Sequence, residues 1–389
     1  MTISFWLDKN EDKPKEQYDV VIVGGGVAGA AAAYWLGRRK HLNTLLLDAG
    51  TIGGGASGRN GGFILRGIFA YYNKAVRAYG RETAQWIFRF NEETQAHLLE
   101  LITRHGNSFS YVQSGSYLLA SSIDELQELE ESAELMKEDG FDVEYMKEDP
   151  LDRGYYGAIF NRNDAGVNPV ALVKALAGIS SFPVYENEQV YKIESTPEGS
   201  LLHTQNRVIE AQTVLLATNA YMPLLLPEFR NLIQPVRGQI IVTRPLKEAI
   251  LDRLCYANYG YEYFRQLADG RFLLGGCREP FAKDEIGYAD ILTPDVQNAL
   301  HHYLKDRFPE VAGASIDYRW SGTMCFTNDG LPMLGEIKDK PNVFYLAGCN
   351  GHGLGYSLAL SKLLVEYAFD GASPGIFDAK RASLEKARA

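Results

Sequence analysis

The pattern of apolar and polar positions is clearest near the start of the chain, where 20–37 reads VVIVGGGVAGAAAAYWLG without a charged residue. A run of this length is close to the shortest that crosses a bilayer as a helix, so a membrane span is one interpretation. The three consecutive glycines follow β-branched residues and precede alanines, and they favour a second interpretation, in which a strand is followed by a turn and a helix. In that interpretation 20–23 form a buried parallel strand, and a helix runs from residue 30 to about residue 39. A second strand is predicted over 44–47.

The glycine spacing in this stretch is that of a dinucleotide-binding turn. Gly24, Gly26 and Gly29 follow the order G-x-G-x-x-G between the predicted strand and helix, and Asp48 comes 19 residues after Gly29. In such a turn the glycines let a pyrophosphate approach the backbone, the helix N-terminus presents N–H groups, and the acid binds the adenosine ribose. The sequence therefore favours a nucleotide site over a span. The predicted nucleotide contacts are Gly24, Gly26, Val27, Ala28, Gly29, Asp48 and Ala49.

A second glycine-rich loop, 50–62, indicates FAD rather than NAD. Its backbone N–H groups and the Ser57 hydroxyl suit a second phosphate and then a flat ring, whereas an NAD domain normally continues into its next helix. No second G-x-G-x-x-G followed by a strand and an acid occurs downstream, so a separate nicotinamide domain is not supported. The cofactor contacts predicted in this loop are Ser57, Arg59, Asn60, Gly61 and Gly62.

Composition and charge exclude several other classes of protein. The 389 residues favour two or three domains, and 46% hydrophobic with 23% charged residues is typical of a globular protein. A net charge of -10 speaks against a nucleic-acid partner. The four cysteines form no C-x-x-C pair and the seven histidines show no metal-ligand spacing, so neither disulfides nor a metal site are expected.

The start of the chain and its cysteine usage also suggest a cellular location. The leader 1–17 is too charged to contain the apolar core of a signal peptide, and no second apolar stretch as long as 20–37 occurs. Widely spaced cysteines are typical of a reducing compartment. We therefore expect a cytoplasmic protein without an integral membrane segment.

Four further segments carry a resemblance to a known family, and with the glycine motifs they cover almost the whole chain. The segments are Asn168-Pro169 at the start of a predicted helix, 214–221 (VLLATNAY), Trp320-x-Gly322 with 327–332 (TNDGLP), and 348–355 (GCNGHGLG). They resemble the FAD-dependent oxidoreductases of the D-amino acid oxidase type. Asn219, 57–62 and 235–239 are most similar to the γ-glutamylputrescine oxidase branch, with glycine oxidase and sarcosine oxidase as more distant relatives.

The resemblance implies an α/β fold with two domains. A Rossmann-like FAD-binding domain with a parallel sheet would consist of 1–66, 151–230 and 325–389. An α+β substrate domain with a mainly antiparallel sheet would consist of 67–150 and 231–324. Local patterns agree, since 114–120 and 271–275 read as strands and 123–139 as a helix.

The resemblance also implies that 348–355 faces the flavin, between a predicted strand over 343–348 and a helix ending near Gly371. A helix N-terminus and backbone N–H groups there would stabilise the negative charge of a reduced flavin. A plain glycine-rich turn is the alternative, and His352 either anchors the loop or lines the active site. Val190 would meet the adenine through its backbone. The cofactor contacts implied in this part of the chain are Val190, Thr218, Gly348, Gly351, His352, Gly353 and Leu354.

Non-covalent FAD is expected, because the attachment cysteine of sarcosine oxidase relatives corresponds to Gly322. Cys325 and Cys349 are only its neighbours in the motif.

The residues implied on the substrate side depart from the family pattern. The arginine that binds the substrate carboxylate in amino-acid-oxidising relatives is replaced by Met324, and a loop lysine of sarcosine oxidase relatives is replaced by Gly355. Arg66 aligns with another carboxylate-binding arginine, although an arginine at the end of a strand is as often a surface residue. We therefore expect an amine rather than an α-amino acid to be preferred.

Aromatic residues crowd one segment of the predicted substrate domain, at positions 256, 259, 261, 263 and 264. They either line a pocket for an amine or form the core of a sheet. Tyr263 matches an active-site tyrosine of the family and is, with His352, the catalytic candidate. The substrate-binding candidates are Arg66, Tyr261 and Met324.

The expected reaction is oxidation of a C–N bond in a primary or secondary amine, or in an amino acid, by hydride transfer to FAD N5 and hydrolysis of the imine. Reoxidation by O2, giving H2O2, or by another acceptor is left open, with Lys283 as the candidate oxygen-activating lysine. Two alternatives remain: oxidation of a 2-hydroxy acid on the same fold, and a flavin-binding subunit without turnover.

Overall fold

The computed structural model describes residues 13–39 and 41–384, so most of the charged leader lies outside the described residues. The chain forms two compact units. The first comprises 13–39, 41–58, 169–235 and 324–384, and the second comprises Arg59–Asn168 and Val236–Thr323. The sequence places 59–66 and 151–168 in the FAD-binding part, whereas the structure has them in the second unit. The reason is strand pairing, because both segments contribute strands that pair within that unit.

The strands, in chain order, are β1 (Lys15–Val23), β2 (Thr44–Leu47), β3 (Phe63–Ile64), β4 (Ser116–Leu119), β5 (Val143–Met146), β6 (Ala158–Asn161), β7 (Ala165–Gly166), β8 (Val184–Tyr185), β9 (Val190–Thr196), β10 (Gly199–Thr204), β11 (Val208–Leu216), β12 (Ile233–Pro245), β13 (Leu254–Ala257), β14 (Glu262–Gln266), β15 (Arg271–Gly276), β16 (Ile316–Thr327), β17 (Met333–Glu336) and β18 (Val343–Ala347). The α-helices are α1 (Val27–Gly37), α2 (Tyr72–Tyr79), α3 (Arg81–His105), α4 (Ile123–Glu138), α5 (Pro169–Ser180), α6 (Met222–Leu225), α7 (Pro294–Arg307), α8 (Pro309–Ala312) and α9 (Gly353–Asp370).

The sheet of the first unit has the strand order β17-β18-β11-β1-β2-β8, with β10 on β11 and β9 on β10. The central pairs β18-β11, β11-β1, β1-β2 and β2-β8 are parallel, which confirms the Rossmann-like sheet expected from the sequence. The central strands are almost wholly apolar because the sheet is covered on both faces; Val20, Val21 and Ile22 are each 0% exposed.

Helix α1 packs against two other helices of the first unit. The Trp35 indole N–H donates to the Leu358 carbonyl of α9 at 2.9 Å, and Gly37 lies against Ser180 of α5. The stretch 20–37 is therefore divided between β1 and α1, which begins three residues earlier than predicted. Within the described ranges, no helix combines the length and apolarity that a bilayer crossing requires.

The sheet of the second unit has the order β16-β12-β15-β14-β13-β4-β6-β5. It is mainly antiparallel, as expected, with a parallel pair between β13 and β4. One face of its central strands forms a core with α7, in which Phe264, Phe272 and Phe308 are each 0% exposed. A separate two-stranded ribbon, β3 with β7, pairs Phe63 with Gly166.

Candidate functional site

The turn between β1 and α1 has no room for side chains. Gly24 has a φ of 110°, and a Cβ on it would lie 2.5 Å from the Ala217 carbonyl oxygen. A Cβ on Gly29 would lie 1.8 Å from the Gly24 carbonyl oxygen, so the helix touches the turn directly. Only glycine fits at these positions. The turn therefore exposes backbone at the N-terminus of α1, which favours an anion.

Ser57 ties the second glycine-rich loop to the start of this helix. The Val27 backbone N–H donates to Ser57 Oγ at 2.8 Å, and a Cβ on Gly26 would lie 2.9 Å from that oxygen. Ala28, which follows Val27 in α1, accepts a hydrogen bond at its backbone carbonyl from Ser361 Oγ of α9 at 2.9 Å. The hydroxyl that the sequence assigns to a phosphate is thus at the helix N-terminus.

Asp48 lies at the end of β2, and its carboxylate organises the two loops. Oδ2 accepts from the Gly25 backbone N–H at 2.6 Å, and Oδ1 accepts from the Gly50 N–H at 2.7 Å. Burial raises the pKa of Asp48, and these two hydrogen bonds act in the opposite direction. Each oxygen keeps a second lone pair, so the carboxylate fits the predicted contact with ribose hydroxyls. Ala49, the following residue, is exposed.

The segment that leads into Val190 runs beside Asp48. The Asn187 N–H donates to the Gly50 carbonyl at 2.7 Å, and the Glu188 N–H donates to the Asp48 carbonyl at 2.8 Å. The backbone at this point is therefore close to the predicted ribose site, although the Val190 side chain belongs to the core. Glu186, whose Oε1 accepts from the Ile52 N–H at 2.6 Å, was missed by sequence reasoning.

The loop between β18 and α9 is held by Asn350, which the sequence analysis did not single out. Asn350 is 3% exposed; its Oδ1 accepts from the Thr327 N–H at 2.9 Å, and its Nδ2 donates to the Gly348 carbonyl at 2.5 Å. Gly348 has a φ of 81°, and a Cβ there would lie 2.3 Å from Thr327 Cγ2. The end of β16 therefore fixes this loop.

Met324 lies beside the same loop. Its Sδ is 3.8 Å from where a Cβ on Gly351 would be, and the Phe326 ring is 3.9 Å from that point. Both side chains lie on one face of β16, since they are two residues apart on a strand. The sequence assigns Met324 to the substrate domain, but the residue falls at the start of the first unit's last segment.

His352 and the residues after it form the start of α9. His352 is the N-cap, Gly353 is the first helical residue, and Leu354 is 6% exposed. Burial lowers the pKa of His352, and its Nδ1 lies 3.3 Å from the Asn350 carbonyl oxygen. Thr218, the remaining predicted contact of the first unit, caps a short 3-10 helix and donates to Met222 Sδ at 3.6 Å.

The features of the first unit fit FAD. They combine a turn that a Cβ would fill, a helix N-terminus next to the Ser57 hydroxyl, an acid at the end of β2 and a fixed loop before α9.

The other predicted cofactor contacts, Arg59 to Gly62, lie in the second unit. Arg59 donates to Asp290 at 2.8 Å and to the Ser321 carbonyl at 2.9 Å, while its own carbonyl accepts from the Trp320 indole N–H at 2.9 Å. Asn60 Oδ1 accepts from the Gly62 N–H at 2.7 Å. Side chains of the second unit thus contact the loop 59–62 and hold its shape. Asp290 is one of these contacts that the sequence did not indicate.

The aromatic residues of β13 and β14 lie on both faces of the sheet. The Tyr263 ring stacks on Tyr256, with centroids 5.8 Å apart, and meets the Phe63 ring edge-on at 5.9 Å. We call Phe63, Tyr256 and Tyr263 the aromatic cluster. Burial raises the pKa of Tyr256 to about 12 and that of Tyr263 further. Phe264 points to the opposite face and belongs to the core, so the core interpretation holds for this residue, and the pocket stays a prediction for the aromatic cluster.

Tyr261 immediately precedes β14, and the Arg278 guanidinium carbon lies 4.8 Å from its ring centroid. The Tyr263 ring lies over Gly275 of β15, where a Cβ would come within 2.4 Å of it. This close approach allows the large ring to lie across the sheet.

Arg66 is held by hydrogen bonds within the second unit. Its side chain is 1% exposed; one terminal nitrogen donates to Glu92 at 2.8 Å, and the other donates to Asn161 at 2.8 Å and to the Asp142 carbonyl at 3.1 Å. Both terminal nitrogens are therefore engaged within the second unit, and the contact with substrate stays a prediction. The burial of the Arg66 side chain excludes the alternative of a surface arginine.

Two further expectations concern lysine and metal chemistry. Lys283 is exposed in the turn that follows a 3-10 helix of the second unit. In the part of the chain that the structure describes, His, Cys, Asp and Glu side chains form no group of three that could hold a metal ion. The cysteines are free, and Cys255, Cys277 and Cys325 are buried.

Comparison with known proteins agrees with this geometry. γ-Glutamylputrescine oxidoreductase of Escherichia coli is 28% identical over 365 residues, covering 90% of this chain and 83% of that protein. Glycine oxidase of Geobacillus kaustophilus is 28% identical over 375 residues, covering 91% of this chain and 95% of that protein.

Solved structures share the fold. The crystal structure of glycine oxidase from Geobacillus kaustophilus has a TM-score of 0.79 at 24% identity, covering 94% of this chain and 99% of that one. The structure of L-proline dehydrogenase from P. horikoshii has a TM-score of 0.78 at 20% identity, covering 94% and 96%. The family model for FAD-dependent oxidoreductases of the DAO type matches residues 19–367. Since this match spans most of the chain and the first unit has the features that FAD requires, the protein is an enzyme that belongs to the DAO family of FAD-dependent oxidoreductases.

Proposed function

We propose that the protein oxidises a C–N bond in a primary or secondary amine, with FAD held non-covalently. Relatives named for γ-glutamylputrescine and for glycine support a substrate that is an amine or an amino acid. Free cysteines suit a reducing compartment, and we place the enzyme in the cytoplasm.

The position of Met324 is the observation that favours amines. A thioether lies next to Gly351 in the loop before α9, where related amino acid oxidases have a guanidinium. A buried carboxylate without a charged partner costs several kcal/mol, and Arg66 is engaged elsewhere. An α-carboxylate is therefore bound poorly, whereas the flexible apolar methionine suits the carbon chain of an amine.

The aromatic cluster supports the same substrate class. Aromatic faces attract an ammonium group by about 0.5–2 kcal/mol and also pack against methylene groups. The Tyr263 and Tyr256 hydroxyls stay protonated at neutral pH because burial raises their pKa, so they remain neutral hydrogen-bonding groups. Tyr261 and Tyr263 are the residues we propose to contact the substrate.

His352 is held neutral near pH 7, because burial lowers its pKa. With Nδ1 directed at the Asn350 carbonyl oxygen, Nε2 is the nitrogen that accepts a proton. We propose that it accepts the proton that a bound ammonium must lose before oxidation. Bound FAD would supply the oxidant, as the acceptor at N5 of the hydride from the carbon next to the amine nitrogen, and O2 or another acceptor would reoxidise it. Water then hydrolyses the released imine.

Anaerobic bleaching of the bound flavin is the test. The purified protein should be yellow, and acid precipitation should release the colour. Primary or secondary amines should bleach it faster than glycine, sarcosine, D-alanine or a 2-hydroxy acid. Faster bleaching by a hydroxy acid would show that the substrate class is wrong, and no bleaching by any compound of the panel would favour a flavin-binding subunit without turnover.

A further inference from the structure

Arg265 is a partly buried cation that has no acidic partner among the residues that the structure describes. It lies on β14, two residues after Tyr263 and therefore on the same face of the sheet. No carboxylate among the described residues forms an ion pair with it, and its Nε is buried without a hydrogen-bond partner. Burial alone lowers its pKa to about 10, which leaves the guanidinium charged at neutral pH. Removing a charge from water costs free energy unless hydrogen bonds compensate for the lost hydration.

Backbone carbonyl groups are the partners of this guanidinium. Its Nη1 lies 2.9 Å from the Gly62 carbonyl oxygen, 3.4 Å from that of Gly61 and 3.4 Å from that of Val167. The Val167 N–H in turn donates to the Gly62 carbonyl at 2.9 Å. Gly61 and Gly62 have no side chains with which to hold their own position. A side-chain donor from β14 therefore binds the backbone of this loop.

The surroundings of the guanidinium are shaped to receive it. A Cβ on Gly166 would lie 2.6 Å from Nη2 and 2.7 Å from the guanidinium carbon, so the group packs directly on the Gly166 backbone. On its other side the guanidinium carbon is 6.0 Å from the Phe63 ring centroid. Phe63 and Gly166 are partners in the β3-β7 ribbon, so Arg265 contacts both strands of it.

We infer that Arg265 is a positioning residue, which holds the Gly61 and Gly62 carbonyls and thereby sets the Phe63 ring against Tyr263. The inference rests on the proposed function, in which this loop contacts FAD and the aromatic cluster contacts the amine. Arginine suits the task because its planar group supplies several donors in fixed directions and stays charged when buried. A lysine ammonium cannot reproduce this arrangement of donors.

The experiment compares Arg265→Met and Arg265→Lys with a control on the neighbouring strand. Arg271→Met is the control, because Arg271 of β15 pairs with Asp269 and Asp317 at 3.1 and 2.7 Å and does not contact the loop. Hydrogen exchange of the Gly62 and Val167 amides is measured first, in protein stripped of cofactor. We expect at least tenfold faster exchange in Arg265→Met, a smaller increase in Arg265→Lys, and no change in Arg271→Met.

FAD titration and absorption spectra extend the test to the cofactor. Arg265→Met should raise the dissociation constant for FAD at least tenfold and shift the absorption band of the bound flavin, and Arg271→Met should do neither. Gly166→Ala provides a second route if Arg265→Met does not fold. The added Cβ would displace the Arg265 guanidinium, whereas the charge of Arg265 is retained. The same changes in amide exchange and in the absorption spectrum are therefore expected.

Unchanged exchange in Arg265→Met, or an equal change in Arg271→Met, would overturn the inference. A wild-type protein that takes up no FAD refutes the proposed function instead, and the exchange measurement still decides whether Arg265 positions the loop.

Discussion

Ser57 Oγ accepts a 2.8 Å hydrogen bond from the backbone N–H of Val27, the first residue of α1. This contact joins two segments that are 30 residues apart in the chain at the point where the sequence predicts a phosphate. The hydroxyl therefore stabilises the helix start and also lies where it can bind the cofactor.

Replacing Ser57 by Ala should weaken both functions. Loss of the N-terminal hydrogen bond costs about 1 kcal/mol of stability, and loss of a phosphate contact should raise the FAD dissociation constant by roughly tenfold. Thermal unfolding of the cofactor-free protein and FAD titration measure the two effects. Ser373→Ala is the control, since Ser373 is an exposed serine of the same unit that also accepts a backbone N–H, at 3.2 Å. Equal FAD affinity in Ser57→Ala and wild type would contradict a role in cofactor binding.

Replacing Gly29 by Ala should destabilise the first unit strongly. The added Cβ would meet the Gly24 carbonyl oxygen at 1.8 Å, so α1 must move away from the turn, at a cost of about 2 kcal/mol or more. Gly178→Ala, in the exposed part of α5, meets nothing within 4 Å and should instead stabilise by about 0.5–1 kcal/mol. Urea unfolding measures both changes. If the two variants were equally stable, the tight packing of α1 on the turn would be disproved.

Replacing Met324 by Arg should shift the substrate preference toward α-amino acids. A guanidinium beside Gly351 offers the charged partner that a carboxylate requires. A bidentate pair contributes roughly 1–2 kcal/mol, so kcat/KM for an α-amino acid relative to an amine should rise by several-fold to tenfold or more. Met324→Leu keeps an apolar side chain of similar volume and should retain the preference for amines. The kcat/KM values for an amine and for D-alanine give the comparison. A wild-type preference for D-alanine or sarcosine would instead show that another residue binds the carboxylate.

Stability should fall between mildly acidic and alkaline pH because of Glu262. Burial raises the pKa of this carboxyl to about 8, above its ordinary value of 4.5. The folded protein therefore binds a proton that the unfolded chain releases, and the stabilisation present below pH 4.5 is lost as the pH rises to about 8. The loss is on the order of a few kcal/mol.

Glu262→Gln removes this titration and should make the free energy of unfolding less dependent on pH over that window. The variant should exceed wild type in stability at pH 9 by more than it does at pH 5, measured by urea unfolding. Glu144→Gln, an exposed carboxyl of the same unit, should leave the wild-type dependence unchanged. Parallel pH profiles for Glu262→Gln and wild type would show that Glu262 is ionised in the folded protein.

Local patterns in the sequence determined the elements around the predicted nucleotide site. The β1-α1-β2 segment is predictable because its strands are uniformly apolar and its glycines stand at positions where a Cβ would clash with neighbouring backbone. The strand before the loop at Gly348, and the helix after it, could be predicted for the same reason. Such constraints act between residues close in the chain, so the spacing of residue types records them.

Tertiary structure alone decided the roles of the charged and aromatic residues. Nothing local distinguishes Arg66, which is buried among Glu92 and Asn161, from Arg265, which holds the Gly61–Gly62 carbonyls. Tyr263 and Phe264 are neighbours, yet one belongs to the aromatic cluster and the other to the core, because successive residues of a strand face opposite sides of the sheet. Their partners lie on segments distant in the chain, and a side chain's function depends on those partners, which only the folded arrangement of strands brings together.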